Sequence, residues 1–172
     1  LILVAIELFR IKHQMDLRIG QGIDIHPFKE GRRCVLGGIE IPSPRGLDGH
    51  SDADALVHAL IDAILGASGE RDIGTLFPDT DQSFKDADSC ELLRIVWQRV
   101  SQSKWSLVNA DVTVLAEAPK LKPHVEAMRD KLSTILNCTR EQIAIKATTT
   151  ERLGFIGRGE GLLASAVVLL RR

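Results

Sequence analysis

Apolar positions along the chain fall into short alternating runs and longer helical stripes. Leu17 to Ile25 alternates with period two, the mark of a half-buried strand, and Cys34 to Ile41 looks like its hairpin partner. Pro42 and Pro44 remove ladder donors, so the segment 42–46 is expected to end that pairing. A helix is predicted from about Asp52 to Ala67, with Ser51 as N-cap and Asp54 close to a capping box. Leu56, Leu60 and Ile64, flanked by Val57, Ile61 and Leu65, give that helix one apolar stripe, and Gly66 and Gly69 mark its end. The stretch 70–88 has no clear period, and an unpatterned segment of that length in a small domain is usually functional or mobile. Ser89 is placed as the cap of a second helix carrying Leu92, Leu93, Val96 and Val100. A strand is expected over 108–116, a helix opened by Pro123, a strand over 142–148, a glycine-bearing loop over 149–161 and a last strand over 162–170.

This order predicts an α+β (mixed α/β) single domain: a mixed four-stranded sheet, helices covering one face, and a small hairpin. The last strand is apolar on both faces. Its second face is therefore expected to be buried against another copy of the chain. The chain has 172 residues, which at about 150 residues per domain fits one domain with an appendage. The appendage is 1–14, whose apolar run Leu1 to Phe9 precedes its basic residues, the reverse of a secretory signal. Residues 1–14 are therefore set apart as a leader or cloning-derived segment, and 15–172 as the folded domain.

Composition removes several classes. Lys plus Arg (22) nearly balances Asp plus Glu (23), without the basic excess of a nucleic-acid binder, and aromatics are only 4%, too few for base-stacking platforms. No apolar run reaches the ~20 residues of a membrane span. Cys34, Cys90 and Cys138 are odd in number and widely spaced, which suits a reducing compartment better than a disulfide framework.

Three clusters carry chemistry. Asp24 and His26 lie two apart on the first strand and so share a face. Asp54, His58 and Asp62 recur every four residues on the helix, so a carboxylate is expected to orient the His58 imidazole. Asp24, His26 and His58 together would make a one-oxygen, two-nitrogen set suited to catalytic zinc with one open position. The third cluster, Lys146 to Glu151 followed by Gly154, Gly157, Arg158, Gly159 and Gly161, offers hydroxyls, free amides and a carboxylate for phosphates and a phosphate-bound divalent ion. No P-loop, nucleophile elbow or His-Glu-x-x-His helix is present.

Five segments, GIDIHPF (22–28), GHSDAD (49–54) with LVHALIDAILGA (56–67), DIGTLFPDTD (72–81), EAPKLKPH (117–124) and IKATTTERLGFIGRGEG (145–161), resemble the 2-C-methyl-D-erythritol 2,4-cyclodiphosphate synthase family of the bacterial type. The resemblance runs from about Leu17 to Arg172. It implies a cytoplasmic lyase of the non-mevalonate isoprenoid pathway that cyclises a CDP-linked erythritol phosphate and releases CMP. It implies a homotrimer with active sites at subunit boundaries, and no nucleic-acid or membrane partner. Asp24, His26 and His58 match the family's zinc ligands, one ion per subunit, and Asp24 and His26 also border the substrate. Glu151 matches the residue that shares a Mg2+ or Mn2+ ion with substrate phosphates. His50 and Thr149 match positions credited with catalysis, and Ser51 lies beside the substrate phosphates. Asp72, Ile73 and Gly74, then Phe77, Pro78, Asp79, Thr80 and Asp81, match segments holding the erythritol part. Ala116, Glu117, Ala118, Pro119, Lys120, Leu121 and Lys122 match the cytidine side, with Thr148, Thr149, Thr150 and Glu151 completing the diphosphate pocket. Phe155 and Arg158 match further substrate-side positions. Family members often carry Gly where this chain has Ala53. Two other readings of the same residues are a metal-dependent phosphohydrolase and a non-catalytic module that senses CDP conjugates.

Overall fold

The computed structural model describes residues 16–78, 80–81, 84 and 86–172. The segment 1–14 set apart above lies outside the described residues, and so does Asp79. Strand β1 (Leu17–Glu30) is followed by β2 (Cys34–Leu36), β3 (Ile39–Ile41) and β4 (Arg45–Leu47), then by helices α1 (Ala55–Ser68), α2 (Ile73–Leu76) and α3 (Ser89–Gln102). Next come β5 (Ser106–Leu115), α4 (Val125–Leu136), β6 (Ile143–Thr148), the single turn α5 (Gly154–Gly157) and β7 (Gly161–Arg171). The main sheet runs in the order β4-β1-β7-β5-β6, with β5 and β6 parallel and the other pairs antiparallel.

The sheet thus has five strands rather than the four expected from the pattern. β1 pairs with β7 only as far as Pro27 opposite Gly161, and its last residues run on past that point. Arg45 to Leu47 pairs with this overhang, Phe28 facing Leu47 and Glu30 facing Arg45. Pro42 and Pro44 stay outside the ladder, so they end one strand without preventing the next. Nor is Cys34 to Ile41 the partner of β1. It folds on itself, Cys34 opposite Ile41, around Gly37 and Gly38, which take φ of 60° and 73°. Two consecutive left-handed residues are what a tight two-residue hairpin requires, and a Gly-Gly pair supplies them at least cost.

Register sorts the sheet into two faces. Gly22, Ala166, Val112 and Ile145 form one row across four strands, and Asp24, Ala164, Val114 and Ala147 form a parallel row on the same face. This inner face carries the helices. α1 lies on β1 and β7, α3 packs on α1, and α4 packs on α3 and β6. The floor under α1 is built of residues almost without side chains. A Cβ on Gly20 would sit 1.9 Å from the Ala63 carbonyl oxygen, and one on Gly22 would sit 2.0 Å from that of Ala59. The helix backbone therefore rests directly on the strand. The opposite face presents Leu17, Ile19, Ile23, Ile25 and Val167 to solvent, with Ile19 73% exposed. An apolar surface of this kind is unusual for a lone subunit.

α1 is buried at ten of its fourteen positions, so the single stripe read from its pattern understates how central it is. Its N-cap is Asp54 rather than Ser51. The fully buried Asp54 carboxylate accepts the Val57 N–H (3.1 Å) and also the N–H groups of Gly37 (2.9 Å) and Gly38 (2.6 Å). One side chain starts the helix and fastens the β2–β3 hairpin to it. Asp54→Ala would strand three buried donors. Its unfolding free energy, from urea titration, is expected to fall by roughly 1–3 kcal/mol.

Candidate active site

Asp24 and His26 stand on the inner face of β1, just beyond the two glycines that let α1 come close. His58, one turn into α1, is brought down onto them. The Asp24 Oδ2 lies 2.9 Å from His26 Nε2 and 3.0 Å from His58 Nδ1, and the two ring nitrogens are 3.3 Å apart. Asp24, His26 and His58 are the one group among the described residues whose side chains could jointly hold a metal ion. Tetrahedral zinc with bonds of 2.0–2.1 Å places its donors ~3.3 Å apart, close to the observed triangle. His26 Nδ1 is 2.8 Å from the Asp48 carbonyl oxygen, which can only accept. That nitrogen therefore carries a proton, and in the neutral ring the Nε2 lone pair points at the centre of the triangle. The donor set fits a divalent metal.

Electrostatics agree with this geometry. Burial pushes the Asp24 carboxyl up, but hydrogen bonds from His26 and His58 outweigh it and hold the group well below the usual carboxylate range. For His26, burial works against the charged ring, while the Asp24 hydrogen bond and charge prevail and raise its pKa. The expected orienting role of the flanking carboxylates is not seen. Asp54 is spent on backbone N–H groups, and Asp62 accepts the Ile73 N–H at 2.8 Å. His58 is oriented instead by hydroxyls: its Nε2 lies 2.8 Å from Ser89 Oγ and 3.2 Å from Ser51 Oγ.

The triangle forms one end of a cavity of about 190 Å³ that is also lined by His50, Ser51, Ile73, Gly74, Phe77, Phe84 and Leu92. Phe77 and Phe84 meet edge to face at 5.2 Å and make an apolar wall. The buried His50 Nε2 finds no hydrogen-bond partner among the described residues. Asp72, by contrast, is exposed and caps α2 through the Thr75 N–H and hydroxyl. Pro78, Thr80 and Asp81 are exposed beyond the aromatic wall.

The third cluster lies apart from this cavity. Thr148 ends β6 at the same end of the sheet as Asp24, but β7 and β5 intervene, a separation of three strand spacings or ~14 Å. There Glu117 Oε1 accepts the N–H groups of Thr150 and Arg152 (both 3.1 Å). These contacts, led by the Arg152 N–H, lower the Glu117 pKa. Glu117 thereby holds Glu151 and Arg152 in left-handed backbone, with φ of 53° and 65°. The Thr149 hydroxyl donates to Glu151 Oε1 at 2.8 Å. Ala116 donates its N–H to the Thr148 carbonyl, and Leu121 is buried in the core. Ala118, Lys120 and Lys122 are exposed, as is Phe155, while Arg158 pairs with Glu160. Sequence reasoning missed Ser89, Phe84 and Leu92. Ser89 reads as a helix cap, yet Asp88 is the N-cap and accepts the Cys90 N–H, and the Ser89 hydroxyl stands between Asp52 and His58 instead.

A carboxylate and two imidazoles converging in a cavity with an apolar wall define a candidate divalent-metal enzyme. The chain belongs to the YgbB family, whose profile matches residues 17–171. It is 54% identical over 154 residues to 2-C-methyl-D-erythritol 2,4-cyclodiphosphate synthase of Halalkalibacterium halodurans, a match covering 90% of this chain and 98% of that one. It is 57% identical over 155 residues to the Geobacillus kaustophilus enzyme of the same name, with the same coverage. A solved structure of such a synthase in its CDP-bound form superposes with a TM-score of 0.82 at 41% identity, covering 89% of this chain and 99% of the other.

Proposed function

We infer that this chain converts 4-CDP-2-C-methyl-D-erythritol 2-phosphate into 2-C-methyl-D-erythritol 2,4-cyclodiphosphate and CMP, a step of non-mevalonate isoprenoid precursor synthesis. The observation that carries this reading is the convergence of Asp24, His26 and His58 beside the cavity of a chain more than half identical to named synthases. In the reaction an oxygen of the 2-phosphate bonds to the β-phosphorus, and the bond from that phosphorus to the bridging oxygen breaks as CMP departs. Both reacting groups belong to the substrate and the attacking phosphate is already ionised. The protein need supply neither nucleophile nor strong base, in keeping with a site made of ligands and donors.

Asp24, His26 and His58 would hold zinc, and Glu151, with substrate phosphates, a Mg2+ or Mn2+ ion. When bound, such ions supply positive charge that offsets repulsion between two anionic groups. His50 and Ser51, which line the cavity, would donate to the diphosphate, and the Thr149 hydroxyl stands beside Glu151. Phe77, with Ile73 and Gly74, would receive the erythritol part. The loops 116–122 and 148–151 would receive the cytidine and its diphosphate, with Phe155 and Arg158 at their edge.

A homotrimer with sites at subunit boundaries accounts for two features of the single chain. The nucleotide-side loops and the metal triangle are ~14 Å apart across the sheet, and the outer sheet face is apolar and open. A neighbour's loops would then complete each cavity. A cytoplasmic location is supported by three free thiols, Cys34, Cys90 and Cys138. No helix among the described residues is long and apolar enough to cross a membrane.

The test is incubation with the CDP-linked substrate and Mg2+, followed by phosphorus NMR. Equimolar CMP and a cyclic diphosphate are expected, abolished by a zinc chelator. Inorganic phosphate would instead favour a phosphohydrolase, and unchanged substrate a binding module.

A further inference from the structure

Ser89 is fully buried in the first turn of α3, where Asp88 already does the capping. Its hydroxyl donates to Asp52 Oδ1 and its backbone N–H donates to Asp52 Oδ2 at 3.2 Å. An ionised carboxylate only accepts, so the Ser89 proton is committed to Asp52. What Ser89 Oγ can then offer His58 Nε2, 2.8 Å away, is a lone pair, and that lone pair is satisfied only by an N–H. With its proton on Nε2, the neutral ring has its lone pair on Nδ1, the atom facing Asp24 and His26. Ser51 reinforces the arrangement. Its Oγ accepts the Ala53 N–H at 3.1 Å and lies 3.2 Å from the same Nε2, which leaves its own proton for the cavity it lines.

We propose that Ser89 and Asp52 are a positioning pair that fixes the tautomer of His58 and thereby presents Nδ1 to a divalent cation. The pair does for His58 what the Asp48 carbonyl does for His26, through two side chains instead of one backbone group. This rests on the reading that Asp24, His26 and His58 hold the metal. Among the described residues Asp52 makes no hydrogen bond to the ring, and it acts through the serine. Without its carboxylate the Ser89 hydroxyl is released to turn and donate to Nε2, which selects the wrong tautomer.

The experiment measures zinc affinity of the full chain by competition with a chromophoric chelator, alongside the melting temperature of the metal-free protein. Ser89→Ala is expected to weaken zinc binding by ~10- to 100-fold, the usual loss when a ligand's outer partner is removed. Asp52→Ala is expected to weaken it comparably, yet to add nothing in the Ser89→Ala background. In the zinc-loaded parent the His58 Nε2–H should be protected from solvent exchange in a nitrogen-15 spectrum, and that protection should vanish in Ser89→Ala. If Ser89→Ala does not fold, Asp52→Ala, altered at a partly exposed position, carries the affinity and exchange tests alone. Zinc affinity within twofold of the parent in both single variants, or additive losses in the double variant, would overturn the pair. A parent that binds no zinc, or His58→Ala binding as tightly as the parent, would instead overturn the metal reading itself.

Discussion

His58→Ala is expected to lose its zinc and its turnover while keeping its fold. The parent should retain about one zinc per chain through gel filtration, and the variant essentially none, because two remaining donors on one strand cannot fill a four-coordinate site. The rate should fall by at least ~10²- to 10³-fold, the scale on which removal of one oriented charge-stabilising group is felt. The fold should survive because the imidazole is a partly exposed group in a cavity wall and no part of the core packing between α1 and the sheet. Metal analysis and far-ultraviolet circular dichroism on the same sample decide the matter. Full zinc occupancy in the variant would refute the ligand assignment. A collapsed spectrum would show that the ring also has a structural duty.

Gly22→Ala is expected to be a severe change for the addition of a single methyl group. The added Cβ would meet the Ala59 carbonyl oxygen at 2.0 Å, the Ala63 nitrogen at 2.8 Å and the Asp62 Cβ at 2.9 Å, two of them helix backbone atoms that cannot rotate away. α1 must lift as a body. An overpacking cost of about 3 kcal/mol is expected in urea titration. Zinc affinity should drop with it, since His58 precedes Ala59 and rides on the same turn. Gly66→Ala is the control: it lies on the exposed side of α1, where an added Cβ meets nothing within 4 Å. Removing a helix-interior glycine there should raise stability by about 0.5–1 kcal/mol. Equal effects of the two substitutions would show that closeness of helix and strand is not what the glycines provide.

Much of this site was legible because simple periods carry it. Two-residue spacing puts Asp24 and His26 on one face, and an acid with two imidazoles is by its chemistry a donor set for a cation. What the chain pattern hides are partnerships set by packing. The Asp54-His58-Asp62 stripe is real as helix geometry, yet its carboxylates serve Gly37, Gly38, Val57 and Ile73 N–H groups, a demand visible only once the β2–β3 hairpin and α2 are placed. The hairpin itself was announced by Gly37-Gly38, a turn signal submerged in an otherwise apolar run. The fifth strand depends on how far β1 outruns β7, a length no local pattern states. Ala53 is a different case. The family habit of glycine there has its physical counterpart in a φ of 57°, a left-handed conformation that this chain asks of an alanine.

The glycine floor also governs when in folding the two halves of the Asp24, His26 and His58 triangle can meet. Residues 20–26 and 55–67 are joined by some thirty residues that include a hairpin and a short edge strand, so the two halves of the triangle meet only after that long loop has closed. A nascent or partly collapsed chain has a strand with two donors or a helix with one, neither of which grips a cation firmly. If Asp24, His26 and His58 hold a metal, its uptake would then follow folding rather than guide it.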